Sequence, residues 1–271
     1  MKHLAGCLLA AALVLGSPAL AGDWWTPSPG QRFDVQLESP RPDKALPVDV
    51  LELDLDDTST ATIRSLKARG VRPVCYFSAR TFEDFDGRAD RAAYKALRPL
   101  GVIAKPLAAF ADESLVDIRR LDRLGPILRA RMERRRRKGF DAVDPDNVDA
   151  YTYPAAATGF PLTAADQLTF NRWLARTAHE IGLGVALKND LDQVDELAGD
   201  FDFAVNESCF RFRECDRYGP LRARTKPVFV IEYRPSPNLA WCRQAAARRD
   251  GLVFKRDTGQ VDSVTRRCPG R

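Results

Sequence analysis

Histidine is almost absent from this sequence. The chain has two histidines in 271 residues, and only His179 lies beyond the N-terminal leader described below. A Ser-His-Asp hydrolase needs a histidine base, and protein zinc sites are commonly built from histidines or from closely spaced cysteines. No CxxC pair occurs, and His179 falls one position past the apolar face of a helical pattern. These absences argue against a catalytic triad and against a zinc site.

Two further features are missing. No glycine-rich phosphate loop follows an early strand pattern, which disfavours a nucleotide-binding open sheet. No run beyond residue 21 is long and apolar enough to cross a membrane. The formal net charge of +5 is a mild excess and indicates no particular partner. We therefore expect no cofactor, no membrane span and no nucleic-acid partner.

Residues 1–21 have the pattern of a secretory signal peptide. Lys2 supplies the positive start, Leu4 to Leu15 is apolar, and Ala19-Leu20-Ala21 is a small-x-small cleavage site. The alternative of an uncleaved anchor is disfavoured because the apolar run is short for a span. We expect cleavage after Ala21, a single exported domain over residues 22–271, and a periplasmic or secreted location.

Five cysteines remain after the leader, and export permits disulfides. The simplest scheme pairs Cys209 with Cys215 and Cys242 with Cys268. Cys75 lies in an apolar strand pattern and is predicted to be a buried free thiol. The odd number leaves this pairing open.

Short apolar segments recur along the chain and are separated mostly by helical patterns. This alternation predicts an α/β fold, a single (β/α)8 TIM-like barrel, with a doubly wound open sheet as the alternative. A short stretch at Val102–Ala104 is a doubtful extra strand. The eight predicted strands lie at Phe33–Leu37, Val48–Leu55, Val71–Phe77, Phe140–Val143, Leu183–Leu187, Phe201–Val205, Pro227–Ile231 and Gly251–Phe254.

Helix signals fit between these strands. Pro126 is predicted to open a helix that ends at Lys138, and Thr163 with Asp166 resembles a capping box. The basic run Arg134–Lys138 favours a solvated helix end over a nucleic-acid patch, because cations suit the C-terminal end of a helix. Trp24-Trp25 is interpreted as core or lid packing, with a sugar-stacking surface as the alternative.

The stretch from Gly139 to Tyr151 is a strand that runs into several carboxylates. Asp144, Asp146, Asn147 and Asp149 crowd together, and Pro145 ends the strand. An Asp/Asn/Pro turn is one interpretation. The ends of barrel strands meet on one face, however, and polar residues follow most of the predicted strands, which favours a functional site.

Two carboxylates on different strands suit glycoside hydrolysis, in which one protonates the leaving oxygen and the other attacks or activates water. A calcium or magnesium site built from Asp144, Asp146 and Asp149 remains open, although the spacing is not that of an EF-hand.

A series of short blocks covers nearly all of the mature chain. The blocks are Trp25-Thr26-Pro27, Leu53-Asp54-Leu55-Asp56 with Thr58, Cys75-Tyr76-Phe77-Ser78-Ala79, Asp117-Ile118-Arg119, Gly139-Phe140-Asp141, Asp146-Asn147-Val148-Asp149, Leu187-Lys188-Asn189, Asn206-Glu207 with Cys209, Glu214-Cys215 and Glu232-Tyr233. In this order, which is more specific than any one block, they resemble glycoside hydrolase family 114, the endo-α-1,4-polygalactosaminidases.

The resemblance implies a TIM-like barrel that hydrolyses polysaccharide rich in α-1,4-linked galactosamine. We expect a monomer without metal. It implies Asp146 as nucleophile or base and Glu207 as general acid, with exchangeable roles. The acidic groups suit a cationic amino sugar. The residues implied to line the sugar site are Asp54, Tyr76, Asp144, Asn147, Lys188, Glu232 and Tyr233.

The sequence departs from the family pattern in a few places. Arg80 stands where the family usually has glycine, Phe33 and Val35 replace tryptophans, and Asp144 is shorter than the expected glutamate. The departures bear on the substrate and on the shape of the sugar site. Arg80 near the mouth also sustains an alternative, a catalytically inactive carbohydrate-binding barrel.

Overall fold

The computed structural model describes residues 24–37, 46–84, 88–107, 111–256 and 266–269. The predicted signal peptide lies outside these ranges. None of the helices in the described part of the chain is long and apolar enough to span a bilayer. The strands are β1 (Phe33–Gln36), β2 (Val50–Asp54), β3 (Arg72–Ser78), β4 (Thr81–Glu83), β5 (Ile103–Pro106), β6 (Glu113–Val116), β7 (Ala142–Asp146), β8 (Gly184–Lys188), β9 (Phe203–Glu207), β10 (Val228–Tyr233), β11 (Gly251–Lys255) and β12 (Arg266–Arg267).

Helices connect most of these strands. They are α1 (Thr60–Ala68), α2 (Arg91–Lys95), α3 (Leu121–Lys138), α4 (Ala155–Thr158), α5 (Ala164–Ile181), α6 (Val194–Leu197), α7 (Cys209–Phe212), α8 (Gly219–Ala223) and α9 (Leu239–Arg248). The Thr163–Asp166 capping box opens α5 as predicted.

Eight strands of the described chain pair in parallel in the order β1-β2-β3-β7-β8-β9-β10-β11, and β12 pairs antiparallel with β11. The sheet curls until its first and last parallel strands meet. Asp34 of β1 pairs with Lys255 of β11 at 3.0 Å, and Phe33 of β1 stacks on Phe229 of β10 with ring centroids 4.7 Å apart. The predicted (β/α)8 barrel is therefore confirmed.

Alternation along each strand divides the core into two layers. Side chains such as Val50, Val74, Ala142, Phe203 and Phe229 point into the barrel and pack together. The residues between them, including many Leu and Val side chains, pack outward against the helices. Because a strand has a period of two, the residue two positions after each inward apolar residue also points inward, closer to the C-terminal mouth.

The N-terminal end of the barrel is closed by the tryptophans. Trp25 packs on Phe203, and its carbonyl oxygen would lie 2.4 Å from a Cβ at position 184, which only glycine avoids. Trp24 stacks on His179 with centroids 3.9 Å apart and donates to Asp202 at 3.1 Å. These contacts confirm packing as the role of both tryptophans and a boundary position for His179.

The segment between β3 and β7 forms a small antiparallel sheet, β4-β6-β5, which the sequence analysis recognised only in part. Arg131 of α3 holds it by contacting Glu83 at 3.2 Å and Asp90 at 2.8 Å. Arg135 is also buried and lies over the ring of Phe77 at 4.4 Å. The prediction of a solvated basic helix end is therefore wrong for Arg135, because carboxylates and aromatic rings face this side of α3.

Helix α3 also starts earlier than predicted, at Leu121, with Pro126 inside it. Leu124 and Gly125 in the turn before the proline are buried, and Trp173 lies against Gly125. Burial of that turn outweighs the one backbone hydrogen bond that Pro126 removes.

The cysteines pair as predicted. Disulfides join Cys209 to Cys215 and Cys242 to Cys268, while Cys75 is a buried free thiol. The first bridge closes the loop after β9, at the mouth of the barrel.

Candidate active site

The Lys188 ammonium lies at the centre of a cluster of carboxylates at the mouth. Lys188 is the last residue of β8 and is buried. Its Nζ lies 3.0 Å from Asp146 Oδ1, 3.5 Å from Glu207 Oε2 and 4.0 Å from Asp144 Oδ2. Asp146 and Glu207 end β7 and β9, so three adjacent strands bring one cation and two acids together.

Asp146 is held by donors on three sides. Besides the Lys188 contact, Tyr76 Oη on β3 donates to Asp146 Oδ2 at 2.9 Å, and the backbone N–H of Asn147 also donates to this carboxylate. Burial raises the pKa of Asp146, but the Lys188 charge and these hydrogen bonds outweigh it and leave the pKa below its usual range. Asp146 is therefore an ionised carboxylate at neutral pH.

Glu207 faces the opening and is positioned by its neighbours. Its side chain keeps 34% of its surface exposed. Tyr233 Oη donates to Oε1, and Asn189 Nδ2 approaches Oε2 at 3.5 Å. Asn189 Oδ1 in turn accepts the backbone N–H of Glu207 at 2.9 Å. The carboxyl group therefore has a fixed orientation while one side stays accessible from the mouth.

The backbone turns sharply where these strands end. Asn147, Asn189 and Ser208, each directly after a strand, have φ values of 62°, 51° and 71°. Non-glycine residues adopt this left-handed region at a cost, which the surrounding contacts must offset. Asn147 Nδ2 donates to Ser78 Oγ at 2.8 Å, and Ser208 N donates to Ile231 O at 2.8 Å. These bonds fix the strand ends that carry the acids.

Asp144 and Glu52 form a second layer beneath Lys188. Asp144 lies two residues before Asp146 on the same inward face of β7 and is 0% exposed. Glu52, on the inward face of β2 between Val50 and Asp54, is 1% exposed and lies beside Asp144. The sequence analysis missed Glu52. Its position on the same strand face as Val50 was the signal that could have found it.

Some sequence-predicted residues are not brought to the cluster. Asp54 closes the turn after β2 by accepting the backbone N–H of Asp56 at 2.6 Å. Glu232 points to the outer face of β10, where it is buried and accepts the N–H of Phe210 at 2.8 Å. The cluster gathers Tyr76, Asp144, Asp146, Lys188, Glu207 and Tyr233, with Asn147 beside it holding Ser78.

A pocket of about 300 Å³ opens next to Glu207. Phe212 lies on its wall with 63% of its surface exposed, in the loop closed by the Cys209–Cys215 disulfide. Arg217, on the same wall, is paired with Asp192 at 2.6 Å. The sequence analysis singled out neither Phe212 nor Arg217 as a site residue. The acidic residues that line the pocket are Asp149, Asp190, Asp192, Glu207 and Glu214.

Arg80 lies below the surface, 3% exposed, with no hydrogen-bond partner for Nε or Nη2 among the described residues. Burial lowers its pKa to about 10, and the nearby Asp149 carboxylate partly offsets this. Its guanidinium therefore does not form part of the open wall of the mouth.

Comparison with known proteins identifies the family of this chain. The family model described as Glycoside-hydrolase family GH114 matches residues 16–271. The chain belongs to glycoside hydrolase family GH114. It is a glycoside hydrolase, as the resemblance of its ordered blocks implied. A search of curated proteins finds no match to this GH114 chain.

Solved structures agree with this assignment. Aspergillus fumigatus Ega3, in complex with galactosamine, is 27% identical, with a TM-score of 0.77 over 91% of this GH114 chain and 100% of Ega3. The glycoside hydrolase domain of PelA from Pseudomonas aeruginosa is 17% identical, with a TM-score of 0.64 over 87% of this chain and 97% of that domain. At that identity the PelA likeness shows the fold alone.

Proposed function

We propose that this GH114 protein hydrolyses α-1,4-linked galactosamine-rich polysaccharide with Asp146 as nucleophile and Glu207 as general acid. The observation that carries the proposal is the single Lys188 ammonium, which lies 3.0 Å from one carboxylate and 3.5 Å from the other at the open end of the barrel. A pair of acids across one sugar linkage is the arrangement that glycoside hydrolysis requires.

The proposed first step divides the work between the two acids. Asp146 attacks the anomeric carbon, since Lys188 and Tyr76 keep it ionised and aimed. Glu207 gives its proton to the departing glycosidic oxygen. In the second step Glu207 takes a proton from water, which attacks the anomeric carbon and releases Asp146.

The spacing of the acids supports net retention of the anomeric configuration. Because one ammonium nitrogen lies 3.0 Å from the Asp146 oxygen and 3.5 Å from the Glu207 oxygen, these two oxygens are at most about 6.5 Å apart. Retaining enzymes have carboxyl groups ~5–5.5 Å apart, whereas inverting enzymes leave ~6.5–9.5 Å for a water. Proton NMR of the first product formed tests this: an α-anomer supports the proposal, and a β-anomer contradicts it.

The pocket chemistry supports a cationic sugar. Acidic side chains outnumber basic ones on the wall beside Glu207, and the one arginine there is already paired with Asp192. The negative potential of these side chains favours binding of a protonated 2-amino group. The galactosamine complex of Ega3 supports the same substrate class. Phe212 offers an exposed ring face on which a sugar can stack.

We further propose that the protein is exported, with residues 1–21 removed as a leader and residues 22–271 forming the mature domain in the periplasm or outside the cell. The two disulfides fit an oxidising compartment. The amino terminus of protein purified from the periplasm or medium, read by mass spectrometry, is expected to be Gly22. Retention of the full leader would contradict this.

The test of activity is release of reducing ends from a panel of polymers: partly deacetylated galactosamine polymer, glucosamine polymer and a neutral galactan. We expect cleavage of the first, and loss of at least about a thousandfold in Asp146→Asn and in Glu207→Gln with the fold intact. Asp141→Asn is the matched control, since Asp141 lies five residues before Asp146 at the other end of the barrel and pairs with Lys67 at 2.7 Å. Binding without cleavage by the wild type would instead support the inactive sugar-binding barrel.

A further inference from the structure

Glu52 and Asp144 bring two buried carboxyl groups into contact inside the barrel. They come from β2 and β7, are 1% and 0% exposed, and lie within hydrogen-bonding reach of each other. Among the described residues, no donor reaches Glu52 Oε2 or either carboxylate oxygen of Asp144. The Lys188 ammonium, 4.0 Å from Asp144 Oδ2, is the cation above them.

Such a pair cannot hold two negative charges at low cost. An isolated buried carboxylate loses its hydration, and a second one beside it adds repulsion. A single proton between the groups removes one charge and supplies the O–H donor that the orphaned oxygens lack. We propose that Glu52 and Asp144 share one proton and act as a singly charged positioning pair that holds Lys188 between Asp146 and Glu207.

The number of negative charges around the Lys188 ammonium supports a single proton on the pair. The pair with one proton adds a single negative charge beneath Lys188, whereas two ionised groups would present the ammonium with four carboxylates in all. The titratable groups that face the pair are Asp146 of β7, Lys188 of β8, Glu207 of β9 and Tyr233 of β10.

The proton gives the pair a defined pH dependence. Burial raises the pKa of Glu52 well above its usual range and that of Asp144 to about 7, the Lys188 charge opposing both shifts. The pair therefore holds a second proton below about pH 7 and the single shared proton above it. Both groups bind protons more tightly in the folded state than in the unfolded state. Their contribution to stability is therefore full below pH ~4 and is lost as the pH rises through about 7.

Amide replacements separate a shared proton from two independent acids. Glu52→Gln and Asp144→Asn each keep one negative charge and one donor near pH 8, so each is expected to fold and to lose less kcat/KM than the double variant. The double variant loses the charge beneath Lys188 and is expected to fall by about tenfold or more, the effect of one pKa unit of altered interaction.

The shared proton is read directly by infrared difference spectroscopy at pH 8, without substrate. Wild type minus Glu52→Gln and wild type minus Asp144→Asn are each expected to show loss of one protonated-carboxyl stretch. The control Asp202→Asn is expected to show none, because Asp202 is buried but accepts from Trp24, Val185 and His179. If neither variant loses this band, or if only one of them does, the proposal is overturned.

The consequence of the proton is read by urea unfolding from pH 5 to 9 and by the pH profile of hydrolysis. Wild type is expected to lose stability between pH 5 and about 7 and to change in kcat/KM through pH 7, as the second proton leaves the pair, and both single variants are expected to change less in each. A wild-type decline that the variants reproduce unchanged would overturn the proposal.

If a variant does not fold, carbon-13 NMR of the wild-type carboxyl groups decides, since the proposal requires one Glu–Asp pair to lose a proton near pH 7. The positioning role rests on the proposed function, but the infrared and unfolding results do not depend on activity.

Discussion

The Tyr76 hydroxyl donates a 2.9 Å hydrogen bond to Asp146 Oδ2, joining β3 to the acid at the end of β7. Tyr76→Phe removes that donor and keeps the ring. Because a hydrogen bond to a charged group contributes about 1.5–3 kcal/mol, we expect kcat to fall about 10- to 100-fold. Loss of the donor also raises the pKa of Asp146, so the acidic limb of the pH profile moves to higher pH.

Tyr94→Phe is the control for this substitution. Tyr94 is buried, with 1% of its surface exposed, and its hydroxyl has no hydrogen-bond partner among the described residues. We expect it to leave kcat and the acidic limb unchanged. An unshifted acidic limb in Tyr76→Phe would remove Tyr76 from the support of Asp146.

The second prediction concerns Lys188. Lys188→Met takes the only ammonium out of the described carboxylate cluster and leaves Asp144, Asp146 and Glu207 to repel one another. Removal of one partner from a buried ionic network costs about 3–5 kcal/mol, which urea unfolding at pH 7 measures. Lys67→Met breaks the pair with Asp141, whose carboxylate keeps Arg72 at 3.6 Å as a second cation, and is expected to cost less than about 1 kcal/mol. Equal losses in the two variants would contradict a central role for Lys188.

The third prediction concerns Phe212, whose exposed ring lies on the wall of the pocket next to Glu207. Phe212→Ala removes the stacking surface and is expected to raise KM for the polymer about tenfold with little change in kcat, because stacking contributes about 1–1.5 kcal/mol. Phe212→Trp keeps an aromatic ring at this position and is expected to have a KM close to that of the wild type. Leu239→Ala, at another exposed apolar side chain, is the control. A similar KM for Phe212→Ala and wild type would exclude a stacking role.

The fourth prediction concerns the thiol of Cys75. Complete burial raises its pKa to about 12, since the thiolate would lose its hydration. Mature protein starting at Gly22 is therefore expected to show no thiol reactive to a disulfide reagent when folded and one after denaturation without reductant. Reaction of the folded protein, or more than one thiol after denaturation, would contradict this pairing.

The barrel could be predicted from sequence because its signals are local. Short apolar strands alternate with helical patterns, and that repetition is visible without knowledge of any long-range contact. The β4-β6-β5 sheet lacks such a signal. Its strands have three or four residues, and their position depends on Arg131, which is remote in sequence.

The sequence predicted that the site lies at the strand ends. It did not predict which side chains point into the barrel or how deeply they are buried. Glu232 and Tyr233 are adjacent, and only Tyr233 points inward. Both faces of β10 are apolar because it is buried on two sides, so the sequence does not show which face lies inside the barrel. The depth of Asp144 and the presence of Glu52 in the site were likewise hidden, because carboxylates in mid-strand are expected at the surface unless a proton or a cation compensates them.

The most direct test of the central claim is azide rescue of two small-residue variants on an activated α-galactosaminide. Asp146→Gly with azide is expected to give the β-glycosyl azide, because azide enters the space that the nucleophile leaves. Glu207→Ala with azide is expected to give the α-azide, because the Asp146 ester still forms first. The β-azide from Glu207→Ala together with no β-azide from Asp146→Gly would contradict the assignment of Asp146 as nucleophile and Glu207 as acid.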